Sequence, residues 1–315
     1  MLCGRTCVAY CVGMHRRPEH FETVTEMTST ILVAVDGTDK DARALAVAAD
    51  LAQLGDAMLV VVRVHNPQTD SATRESRSST LQAMRVAAEV VGLRVPRGLT
   101  CEVLDGDDVP NALLTRADSV NATALVMATR APQAIDRAIH GSVADRIVRT
   151  GSRPVVLVPP RADYMGGRDV HLRRGLVPID GSATALSVID HLLAFPNARE
   201  LDLLLLQVVP PDPDHEAARK AEETLITLVE RIRQKGVTAE PRVVEAGHPA
   251  AVIVEAIRQD LVDFIAMSTR GAGGIARTML GSVATAVVRA SEVPVLLVTP
   301  NVPIPSTITT RTRDV

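Results

Sequence analysis

Short runs of apolar residues alternate with longer stretches in which apolar positions recur every three or four residues. In the second half, strand-length runs fall at Leu176–Ile179, Leu201–Val209, Arg242–Val244, Phe264–Met267 and Val295–Val298. Between them, helical patterns cover Ala183–Leu193, Glu216–Lys235, Pro249–Arg258 and Ser282–Ala290. In Glu216–Lys235, Ala221, Leu225, Leu228, Val229 and Ile232 form one apolar stripe. The first half follows the same order, from Ile31–Val35 to Val155–Val158. Continuous apolar strands joined by helical crossovers predict parallel sheets covered on both faces. The fold class expected is α/β: two tandem doubly wound domains, each with a five-stranded parallel sheet.

The halves are copies of one unit. "MATRAPQAIDRAIHGSV" (Met127–Val143) and "MSTRGAGGIARTMLGSV" (Met267–Val283) share eight of 17 positions at an offset of 140 residues. Upstream, "ILVAVDGT" (Ile31–Thr38) mirrors "GLVPIDGS" (Gly175–Ser182) at an offset of 144. The polar "RADYMGGRD" (Arg161–Asp169) marks the join. The expected organisation is a leader (1–27), a first domain (28–160), a linker (161–172), a second domain (173–300) and a tail (301–315). In each domain the fifth strand falls at a sheet edge, so "PVVLV" and "PVLLV" are expected to pair with each other as an internal pseudo-dimer. A homodimer of whole chains stays open.

Composition changes this picture little. The 315 residues are 46% hydrophobic and 23% charged, ordinary for a globular chain. Aromatics reach only 2%, so the cores must be aliphatic. A net charge of -3 offers no basic footprint for nucleic acid, and no apolar run is long enough to span a bilayer. Cys3, Cys7, Cys11 and His15 crowd the leader. They read either as a metal or redox cluster or, more simply, as an unstructured extension ahead of Met27. A reduced, cytoplasmic protein is expected.

Two segments leave strand ends with unusual chemistry. Asp180, with its twin Asp36, directly follows a first strand and precedes glycine. Such a carboxylate can accept from a ribose hydroxyl or a base amine, or simply turn the chain and cap a helix. In the other segment, Gly271 allows close backbone approach, and Gly281-Ser282 opens a helix whose free amides suit an anion. Arg270 or Arg277 could add charge, whereas the plain alternative is a crossover loop with Ser282 as N-cap. Neither a P-loop nor GxGxxG occurs.

Together, the strand-Asp-Gly-Ser start, the loop "STRGAGGIARTMLGSV" and the closing "PVLLV" resemble the universal stress protein family in its tandem, ATP-binding form. That resemblance implies a Rossmann-like, adenine nucleotide alpha hydrolase-like unit that binds ATP with Mg2+. It implies that Pro178, Asp180 and Val208 face adenosine. Met267, Ser268, Gly271, Gly281, Ser282 and Val283 would line the ribose and phosphates. Ser268 stands where the family pattern has its first glycine. The weaker first site would use Asp36, Val64, Met127, Gly141, Ser142 and Val143, with Ala128 and Ala131 replacing both loop glycines and Pro132 removing an amide.

Three functions follow as alternatives. The leading one is a nucleotide-responsive stress regulator acting on an unknown protein partner. The others are a slow ATP hydrolase or nucleotide-transfer enzyme, and a scaffold that binds no nucleotide. Phosphate chemistry calls for placed metal ligands and a base. The loop Ser268–Ser282 contains no Asp, Glu or His. His248 is the nearest base candidate and is expected to cap a helix, as Asp107-Asp108 fills the same turn in the first copy.

Overall fold

A computed structural model of the chain describes residues 29–38, 40–66, 77–92, 94–129, 142–160, 171–270, 280–300 and 302–304. The leader cysteines, Gly141, Gly271 and Arg277 lie outside the described residues. The first copy runs β1 (Thr30–Ala34), α1 (Asp41–Leu54), β2 (Met58–His65), α2 (Arg77–Gly92), β3 (Leu99–Asp105), α3 (Val109–Ser119), β4 (Ala124–Ala128), α4 (Ser142–Thr150) and β5 (Val155–Val158). The second repeats the order. It runs β6 (Arg174–Ile179), α5 (Ala183–Leu193), β7 (Asp202–Val209), α6 (Glu216–Arg233), β8 (Thr238–Glu245), α7 (Pro249–Gln259), β9 (Phe264–Ser268), α8 (Ser282–Ala290) and β10 (Val295–Val298).

All ten strands join one sheet in the order β3-β2-β1-β4-β5-β10-β9-β6-β7-β8. Pairing within each half is parallel. The halves meet where β10 runs antiparallel to β5, with Leu296 opposite Val156. The order in which strands are added reverses between β1 and β4, and again between β6 and β9, so each half has a switch point beyond those carboxyl ends.

Alternation along the strands builds two cores. Leu203 and Leu205 face the layer that holds α1, α2, α5 and α6, whereas Leu204 and Leu206 face α3, α4, α7 and α8. This is why "LLLL" reads as an unbroken apolar run: both faces of β7 are buried. Each core draws residues from both halves, including Val156 with Leu296 on one face and Val155, Leu157, Val295 and Leu297 on the other. Gly175 is dictated by packing rather than by backbone: a Cβ there would lie 2.5 Å from the Phe264 ring on the neighbouring strand.

Polar contacts also tie the halves. Asp50 on α1, only 4% exposed, accepts from the Leu172 amide at 2.5 Å and from Arg94 at 3.1 Å. Asn197, just past α5, donates its side-chain amide to the Gln53 carbonyl at 2.7 Å and its backbone amide to Leu54 at 3.0 Å.

Candidate functional site

The second copy's switch point gathers most of the residues singled out from sequence. At the end of β6 the chain turns through Asp180 and Gly181, whose φ of +79° suits glycine. Asp180 is exposed and its Oδ1 accepts from the Ser182 amide at 3.0 Å and hydroxyl at 2.6 Å. Ser182 in turn caps α5 by accepting from the Ala185 amide at 3.2 Å. The capping role in "DGS" therefore belongs to Ser182, and Asp180 fixes the serine while keeping its carboxylate at the mouth.

Facing this turn is the end of β9. Met267 and Ser268 are buried, and the Ser268 hydroxyl donates to the Arg270 carbonyl. That carbonyl also accepts from Thr184 Oγ1 at 3.1 Å, which ties the head of α5 to the segment leaving β9. The Gly281 amide donates to the Thr269 carbonyl at 2.8 Å and closes the neck of the loop. Val208, Met267 and Val283 pack on the same core face. Pro178, two residues beyond Leu176 on β6, lies on that face as well.

Helix α8 departs from the plain expectation of a serine cap. Gly281 occupies the N-cap with no side-chain hydrogen bond, and Ser282 is the first helical residue. Glycine has no side chain with which to cap the first-turn amides, and a helix head of this kind suits an anion. Nearby, the Thr269 hydroxyl is buried with no hydrogen-bond partner among the described residues, whereas its twin Thr129 donates to the Val158 carbonyl at 3.2 Å. The Gln207 carboxamide oxygen on β7 is also buried and unpartnered among them.

The remaining candidates sort plainly. In the first copy Val64, Met127 and Val143 pack together as their twins do, with Ser142 opening α4. Asp36 accepts from the Thr38 amide at 3.1 Å, the same turn as at Asp180. His248 sits at the N-cap of α7 but makes no capping bond with its side chain, a correction to the expected cap. Asp108 does cap α3, accepting from Asn111 at 3.2 Å. His215, unremarked in the sequence, bonds Glu245 at 2.5 Å, and that carboxylate raises its pKa. Thr184, Gln207 and Thr269 were also missed, because a polar residue at a helix head or strand end carries no signal until its neighbours are known.

The universal stress protein family model matches residues 27–159 and again 171–299. The chain belongs to the universal stress protein family. A universal stress protein of Mycolicibacterium smegmatis is 28% identical over 296 residues, 86% of this chain and 97% of that protein. One from Mycobacterium tuberculosis is 27% identical over 292 residues, 85% and 96% of the two chains. The solved structure of a universal stress protein from Archaeoglobus fulgidus superposes with a TM-score of 0.60 at 21% identity, covering 86% of this chain and 98% of that one. That likeness shows the fold. Among the described residues no helix is long and apolar enough to cross a membrane.

Proposed function

We propose that this universal stress protein binds ATP at the carboxyl ends of β6, β7 and β9 and acts as a nucleotide-responsive regulator in the cytoplasm. The head of α8 carries this reading. Its glycine cap leaves first-turn amides and the helix dipole directed at the mouth, where a phosphate chain is favoured. The Thr269 hydroxyl supplies a further donor that the fold does not use among its described residues. Asp180, held at the turn by Ser182, suits the ribose or base, and Pro178, Val208 and Met267 form the apolar wall. Mg2+ would enter with the phosphates it neutralises. Occupancy would bias the conformation of the protein or its choice of partner.

Gly281→Val tests the reading. A Cβ at Gly281 would meet the Thr269 carbonyl oxygen at 3.4 Å, an ordinary contact, and the backbone there is extended, so the fold should persist. The branched side chain would obstruct the amides. Calorimetry with MgATP should show affinity reduced by about tenfold or more, equivalent to about 1.4 kcal/mol, with circular dichroism unchanged. Gly271→Val should act alike. Unaltered affinity in both variants contradicts the site.

A further inference from the structure

The two copies differ at the turn that follows their first strand. Gly181 is open, with no atom within 4 Å of where a Cβ would stand. Gly37 has the same left-handed backbone, φ +86°, but the Arg63 guanidinium lies against it, its Nη1 2.7 Å from the Cβ position. On the same turn, Asp41 accepts from the Gly37 amide through Oδ2 at 2.7 Å and from the Asp36 amide through Oδ1 at 3.1 Å. Asp41 begins α1 and is 9% exposed. Burial pushes its carboxyl up and the Asp36 charge adds to that, while the two amides and the Arg63 charge pull it back. The second copy has no counterpart to either group. At the offset of 144, Ala185 stands opposite Asp41 and Gln207 opposite Arg63.

Arg63 immediately precedes Val64, and its guanidinium reaches the residue after Asp36. It therefore bridges the ends of β1 and β2 beside the two residues by which the first copy would hold adenosine. The turn amides that a ligand could use are already taken by an internal carboxylate, and the Arg63 guanidinium lies against Gly37.

We propose that Asp41 and Arg63 plug the first copy, so that the chain takes a single adenine nucleotide, in its second copy. The plug rests on the reading of the second copy as an ATP site and adds to it. Closure at the base of the first site acts before any phosphate is gripped, so it excludes adenosine as well as ATP. A permanently filled half gives the pair a fixed reference against which only the other half responds.

Calorimetry on three full-length proteins tests this: wild type, Gly281→Val, and Gly281→Val combined with Arg63→Gln and Asp41→Ala. Wild type should bind one ATP per chain. The unplugged chain should bind one more adenosine per chain than Gly281→Val alone. If thermal melting shows the triple variant unfolded, Gly281→Val with Arg63→Gln replaces it, and the same gain is expected. Two ATP per chain in wild type, or no gain in adenosine binding on unplugging, overturns the plug and leaves the second-copy site standing. Wild type that binds no ATP overturns the functional reading, and the plug with it.

Discussion

Leu261 and Asn121 occupy the same place in the two copies, with φ of +51° and +48°. Asparagine tolerates the left-handed region, whereas a leucine there is strained, and Leu261 is also 81% exposed. Leu261→Asn should therefore stabilise the protein by about 1 kcal/mol, read as a higher urea midpoint; a lower midpoint contradicts this. The offset of the repeat pairs these two residues on paper, but only the backbone shows that one of them is strained. The same holds in the site. Asp180 was legible because Asp-Gly-Ser after a strand has few uses, although the cap expected of it falls to Ser182. Asp41 and Arg63 were not, since a carboxylate opening a helix and a charged residue near a strand end look solvated until the turn they close is seen.

At the scale of elements, buried strands were easiest to read. Val295–Val298 appears with the bounds its apolar run predicts, and Phe264–Met267 extends only to Ser268. β8 was foreshortened in the sequence to Arg242–Val244, because as an edge strand it mixes Thr238, Glu240 and Pro241 with its apolar positions. The pairing of β5 with β10 follows the rule that an apolar edge needs a partner, and the structure supplies one antiparallel register. Val156 and Leu296 lie opposite each other there and are both buried. Lysine at both positions would bury two like charges, at a cost of several kcal/mol. The double variant should expand in small-angle scattering while circular dichroism retains the α/β signature. An unchanged envelope contradicts the idea that this seam holds the halves together.

Across the whole molecule, duplication has produced two similar units with unlike sites. Both halves share the sheet and both cores. The duplication was visible in sequence, as was the loss of loop glycines from the first copy. The closure of its turn was not. ATP binding is expected to be confined to the second copy, and hydrogen exchange of the full chain, with and without MgATP, reads both sites at once. Protection is predicted in peptides covering Pro178–Ser182, Met267–Arg270 and Leu280–Thr285, with no change at Asp36–Thr38 or Ser142–Arg146. Exchange unaltered at the second copy, or equal protection in both, would contradict it.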